Sequence, residues 1–245
     1  FRESFEPATD IVTLMHANNE TGVLQPVSRV AQLAKDRGAT VHTDAAQSIG
    51  KVPVDVGDLD VDLMTIAGHK FHAPKGVGAL YLREGLELEP VLRGASHEGG
   101  LRPGTENVAS VVGLGAAAEC VADDLETAGR RMKRLRDQLW DRLSEAIPDL
   151  NLNGHPSKRL PNTLNVRFPD VTGDQLLSET PEVAASTGAA CHDDQLQASA
   201  GILALGIPER QALGSVRLSL GRTTTESDID TAVQALRRAW RGLQD

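Results

Sequence analysis

The chain is 245 residues long, enough for one large domain or two modest ones, and 40% apolar with 3% aromatic residues predicts aliphatic cores. Its net charge of −9 argues against nucleic acid or an anionic membrane as partner, since both need clustered Lys and Arg. No apolar run approaches the roughly 18–20 residues of a membrane span, the first residues show no signal-peptide pattern, and two widely separated cysteines make neither a disulfide framework nor a metal site. Short apolar strands alternate with amphipathic stretches, the pattern of an α/β protein. A first strand is predicted over 11–16. A helix follows over 26–37, with Val27, Val30, Ala31 and Ala34 at helical spacing and Gly38 at its stop. Strands are expected over 39–43, 61–67 and 76–82. A long Ala/Val/Leu helix is expected over 105–124, and a separate charged helix over 130–146.

The second of these helices marks the passage into another domain, so the expected division is 1–126 and 127–245. The later part is predicted to hold a strand over 163–168, a helix over 173–178, a strand over 216–220 and a last helix over 226–243. Thr172 with Gln175, and Thr225 with Asp228, have the spacing of capping boxes. There is no internal repeat and no low-complexity tract.

Three segments carry the chemistry. They are His42-Thr43-Asp44-Ala45-Ala46-Gln47, then Gly68-His69-Lys70-Phe71, then Ser186-Thr187-Gly188-Ala189-Ala190-Cys191. Together they supply a carboxylate, an amide, a lysine able to form a Schiff base, and a thiol. Pyridoxal 5′-phosphate (PLP) chemistry needs such a set, because a lysine holds its aldehyde carbon and an Asp keeps its pyridine nitrogen protonated. A cysteine has no part in ordinary transamination, so the third segment points to sulfur or selenium.

The order and spelling of these segments resemble the cysteine desulfurases, within the class V branch of the PLP fold type I enzymes. The resemblance runs from Met15-His16-Ala17-Asn18-Asn19-Glu20-Thr21-Gly22 to Arg217-Leu218-Ser219-Leu220-Gly221-Arg222. It implies an α/β fold, with part of a large, mainly parallel PLP domain and a smaller C-terminal α+β domain. The spellings around Asp44 and Cys191 are also similar to those of selenocysteine lyase, which keeps L-selenocysteine beside L-cysteine as a substrate. The family's phosphate loop and ring-stacking His precede the first strand and have no counterpart here. The chain is therefore expected to be the later part of a longer enzyme. A non-catalytic fragment that only binds a partner subunit is the rival from another class.

Each candidate has a plain alternative. Lys70 follows a strand end, where α/β sheets place ligands, yet a lone lysine is more often solvated; the resemblance makes it the Schiff-base residue. By the same resemblance His69 contacts the cofactor phosphate, while Ala67 stands where the family often has a Ser. By resemblance Asp44 would pair with the pyridinium and Gln47 with the ring oxygen, both pointing into one crevice if the chain turns helical after the strand; the plain alternative is an Asp that only caps such a helix. His42 is assigned a structural role. Asn18 is either a turn residue or, by resemblance, a contact for the ring and the substrate carboxylate. Arg217 alternates with Val216 and Leu218 in a strand, facing outward or holding that carboxylate bidentately. Thr105, in a glycine-rich loop, would reach the phosphate of a neighbouring subunit, which implies a homodimer. Cys191 lies in a small, hydrophilic loop, with His192 favouring its thiolate and Asp193 and Asp194 opposing it. Cys120 reads as a packed helix residue.

The resemblance implies that Cys191 takes sulfur from L-cysteine as a persulfide, releases alanine, and passes the sulfur to an acceptor or scaffold protein for iron–sulfur clusters or thiolation. No metal is expected. A reduced, cytoplasmic setting suits such a thiol.

Overall fold

The computed structural model describes residues 5, 6, 8–188, 190–192 and 195–244, with the side chains of 190–192, 195 and 196 left outside the description. The chain divides into two compact units. One comprises 1–16 and 25–125; the other comprises 17–24 and 126–245.

The first unit is built on β1 (Ile11–Met15), α1 (Val27–Lys35), β2 (Thr40–Asp44), α2 (Val56–Leu59), β3 (Leu63–Ala67), β4 (Gly78–Leu82) and the start of α3 (Val108–Ala146). Its four strands lie in chain order, with β1, β2 and β3 parallel and β4 antiparallel. Alternation decides the faces. Val12 and Val41 turn toward Val27, Val30, Ala31 and Ala34 of α1 and form the core with Ala39, Val61 and Met64. On β1, the alternate positions Ile11 and Met15 remain 54% and 40% exposed. The helix α1 ends at Lys35, two residues short of the expected 37, and the turn after it closes at Gly38 with φ +76, a conformation that costs glycine little.

The two helices expected over 105–124 and 130–146 are one. The helix α3 runs unbroken for 39 residues, because 125–129 (Leu-Glu-Thr-Ala-Gly) has no proline. The single Gly129 costs only about 1 kcal/mol relative to Ala. Its early residues Val108, Val111 and Val112 are 66%, 52% and 65% exposed. Cys120 is exposed too, which corrects the expectation of a packed thiol.

The second unit contains the end of α3, β5 (Asn151–Leu152), β6 (Thr163–Arg167), α4 (Gly173–Ser178), β7 (Ala190–His192), β8 (Gln195–Gln197), α5 (Ala200–Leu203), α6 (Glu209–Ala212), β9 (Ser215–Ser219) and α7 (Glu226–Gly242). The strands β5, β6 and β9 form an antiparallel sheet, and β7 and β8 a separate hairpin. Leu164, Val166, Val216 and Leu218 of the sheet share a core with Leu135, Leu139 and Leu143 of α3, Leu176 of α4 and Leu236 of α7. Both expected capping boxes are present, at Thr172–Gln175 and Thr225–Asp228. The turn over 17–24 belongs to this unit. Leu160 N donates to Gly22 O at 2.8 Å, Leu24 N donates to Lys158 O at 3.0 Å, and Arg159 Nη2 donates to Thr21 O at 2.6 Å. At Gly22, φ is +74 and a Cβ would stand 2.8 Å from Thr163 Cβ, so only glycine fits. Among the described residues, no helix is long and apolar enough to cross a membrane.

Candidate active site

In the first unit the candidates gather at the carboxyl ends of the parallel strands. The strand β2 ends on Asp44, and β3 runs into a 3-10 turn, Gly68–Phe71, that carries His69 and Lys70, both exposed. That is the sheet edge where α/β folds bind ligands. The carboxylate of Asp44 is exposed; its Oδ1 accepts from Ala46 N at 2.8 Å, and its backbone oxygen accepts from His16 N at 2.8 Å. No helix follows. Residues 45–50 form successive turns, with Ser48 N and Ile49 N both donating to Ala45 O, so Asp44 has no helix to cap. Asp44 and Gln47 nevertheless stay on one short turn.

His42 has the structural part assigned to it. Its Nδ1 lies 2.7 Å from Thr13 Oγ1 and its Nε2 lies 2.8 Å from Thr65 Oγ1, which ties β1, β2 and β3 together across one sheet face. Thr105 is exposed in the loop ahead of α3.

Two further residues of this unit escaped sequence reasoning. Half-buried Lys51 donates from Nζ to Gln47 O at 2.9 Å and to Lys70 O at 3.4 Å, so a single ammonium joins the two candidate segments. Burial, and then the charge of Lys70, pull its pKa down to about 8. The signal was present four residues after Gln47, but a lysine after a glycine looks like a solvated one. Buried His16 makes a 3.0 Å hydrogen bond between Nδ1 and Ser48 Oγ, and burial lowers its pKa.

The second unit holds Asn18 and Arg217. Asn18 Oδ1 accepts from Glu20 N at 3.0 Å, Thr21 N at 2.8 Å and Thr21 Oγ1 at 3.0 Å. The turn reading is thus realised, and a role toward a carboxylate would fall to the amide nitrogen, the donor of the pair. Half-buried Arg217 donates from Nη1 to Asn19 O at 2.8 Å. Its Nε is buried with no hydrogen-bond partner among the described residues. An orphaned guanidinium N–H is costly, and a carboxylate is the group that relieves it. The backbone of Cys191 lies on β7 opposite Leu196 of β8; its side chain lies outside the described residues.

The residues present fit PLP by the chemistry of their donors. A carboxylate, an amide and a lysine share one sheet edge, and an unpaired arginine donor suits an amino-acid carboxylate.

The family model of the class-V aminotransferases matches residues 1–232. The chain belongs to that family. Among class-V aminotransferase relatives, it is 44% identical over 230 residues to the cysteine desulfurase of Trichormus azollae, covering 93% of this chain and 58% of that protein. It is 42% identical over 237 residues to the cysteine desulfurase IscS of Methanosarcina thermophila, covering 96% and 58%. The chain thus spans about three fifths of the length of the curated relatives it matches. Among solved structures, a NifS-like protein from Rickettsia africae superposes with a TM-score of 0.87 at 27% identity, covering 98% of this chain and 64% of that one. SspA in complex with cysteine superposes with a TM-score of 0.74 at 32% identity, covering 91% and 62%. The α/β architecture of this class-V aminotransferase chain is the fold type I of the NifS-like structures, of which it spans part.

Proposed function

We propose that this chain is the greater part of a PLP-dependent cysteine desulfurase, converting L-cysteine to L-alanine and leaving the sulfur as a persulfide on Cys191. The observation that carries the reading is the placement of Asp44, Gln47 and Lys70 at the carboxyl ends of two neighbouring parallel strands. The names of the relatives at 42–44% identity support it and favour cysteine over selenocysteine.

When bound, PLP supplies an electron sink that loosens the α-hydrogen and the bond from the β-carbon to sulfur. The residues divide the remaining work. Asp44 would keep a proton on the pyridine nitrogen, Gln47 would donate to the ring oxygen, His69 would bind the phosphate, and Thr105 would reach the phosphate of a neighbouring subunit. Arg217 and the amide nitrogen of Asn18 orient the substrate carboxylate. Lys70 would hold the aldehyde carbon of the cofactor through its Nζ and, once freed, would move the α-proton of the substrate. The thiolate of Cys191 attacks the substrate sulfur; the new S–S bond stays on the protein, and alanine leaves. Atoms balance, since cysteine and a thiol become alanine and a persulfide. The exposed Thr105 loop beside the exposed valines of α3 supports a homodimer. The persulfide would pass to an acceptor protein for iron–sulfur clusters or thiolation, in a reduced cytoplasmic setting that keeps the thiol free.

Borohydride reduction of the PLP-loaded protein, followed by peptide mapping, tests the reading. The pyridoxyl label is expected on Lys70; a label on another lysine refutes the assignment. Cys191→Ser is expected to retain that label and lose persulfide formation. Sulfur transfer at the unaltered rate in the variant would make Cys191 structural.

A further inference from the structure

Glu20 has no part in the chemistry above, yet it occupies an unusual position within the second unit. Its backbone is fixed on both sides. Its N–H donates to Asn18 Oδ1 at 3.0 Å, and its carbonyl accepts from Asn165 Nδ2 of β6 at 3.0 Å. Its side chain meets two glycines far apart in sequence. Oε2 lies 3.0 Å from where a Cβ on Gly188 would stand, and Oε1 lies 3.1 Å from the corresponding point on Gly201. Both distances are shorter than side chains normally tolerate, so a methyl group at either glycine would press on the carboxylate. Oε2 is buried and has no hydrogen-bond partner among the described residues. Among the described residues, then, packing and not a hydrogen bond to that oxygen holds this side chain in place.

Gly188 and Gly201 flank the β7–β8 hairpin, which carries Cys191. Their stems are close together, since a Cβ on Gly188 would lie 3.8 Å from Ser199 Cβ. The first stem is also anchored to β9. Arg217 N donates to Ser186 O at 2.7 Å, and Ser186 N donates to Arg217 O at 3.3 Å. The same Arg217 reaches Asn19 O, next to Glu20, through Nη1 at 2.8 Å. One residue of β9 thus grips both the turn that carries Glu20 and the stem that carries the hairpin.

We infer that Glu20 is a positioning residue for the Cys191 hairpin: its carboxylate is a wedge between Gly188 and Gly201 that sets how the hairpin leaves the sheet, and it links that base to the Asn18–Arg217 turn. The wedge acts by shape, so Glu20→Gln preserves it and Glu20→Ala removes it. Its link to sulfur transfer rests on the desulfurase reading; the wedge itself does not.

The test is a double-mutant cycle on the full chain. Gly201 is the partner of choice, because its backbone is not in the left-handed region, whereas Gly188 has φ +67. Amide hydrogen exchange over 186–201 is read in Glu20→Ala, Gly201→Ala, the double variant and Glu20→Gln. Each alanine variant is expected to lose protection by about tenfold. The double variant should lose no more than Glu20→Ala alone, and Glu20→Gln should retain protection. Additive losses, unchanged protection in Glu20→Ala, or loss in Glu20→Gln equal to that in Glu20→Ala overturns the wedge. With L-cysteine and PLP, Glu20→Ala is expected to lower the kcat of persulfide formation with KM held, and Glu20→Gln to restore it. An unchanged kcat in Glu20→Ala overturns the positioning role. If the unaltered protein forms no persulfide while the exchange cycle holds, the desulfurase reading fails and the wedge stands.

Discussion

Lys51 makes the protein's stability depend on pH in a direction that can be worked out beforehand. Its ammonium is half-buried against the carbonyls of Gln47 and Lys70, and its pKa is lowered from 10.5 to about 8, first by burial and then by the charge of Lys70. A lysine with a lower pKa folded than unfolded carries fewer protons folded than unfolded between those two values. Stability therefore rises as pH passes from about 8 to 10.5, and below about 8 the full cost of the buried charge is present. At about 1.4 kcal/mol per pH unit, the whole shift is worth about 3.5 kcal/mol. Partial solvent access reduces this to about 1–2 kcal/mol. Lys51→Met keeps the aliphatic stem and removes the charge, so its stability should lack this rise. The assay is the urea midpoint of both proteins at half-unit steps from pH 7 to 10.5. Groups common to the two proteins cancel in the difference, which should move in favour of the unaltered protein by that 1–2 kcal/mol as pH rises. Lys70→Met should raise the pKa of Lys51, because the second cause is gone. A difference between unaltered protein and Lys51→Met that stays flat across the range would refute the buried-charge account.

Two substitutions probe the second unit's framework. Leu143→Ala, at a fully buried position where α3 meets the sheet, should cost about 2–5 kcal/mol in chemical denaturation. Thr225→Ala removes the hydroxyl that accepts from Asp228 N at 3.2 Å and should cost about 1 kcal/mol, read as a fall in the denaturation midpoint.

What could be read in the sequence follows the range of the forces involved. Elements defined by local periodicity and capping, such as α4 and α7 with their boxes, came out within a residue or so. The single helix α3 was misread as two because the composition changes near residue 125, from Ala-rich to charged, without a residue that breaks a helix. The short pieces β5, α2, α5 and α6 were missed, since two to four residues carry no period. Lys70, Asp44 and Gln47 could be named from motifs, and their shared sheet edge followed from the strand ends. Lys51 and Glu20 could not be read in this way. Their significance lies in carbonyls and glycines brought near by the fold, and nothing in the residue types themselves announces it.

The second unit is discontinuous in the chain, with eight residues from near the beginning set among residues from the last half. The separations are large: Arg159 to Thr21 spans 138 positions, Asn165 to Glu20 spans 145, and Arg217 to Asn19 spans 198. Closing such long loops is entropically slow, though the cost grows only weakly with length. As the chain emerges from the ribosome, the early turn must wait for Arg159 and β6 before the carbonyls of Thr21 and Glu20 receive their donors, and for the last strand before that of Asn19 does. A piece beginning at residue 126 would lack the turn and leave three side-chain donors without their acceptors. The boundary between the units is thus a line in space that no single cut in the gene reproduces.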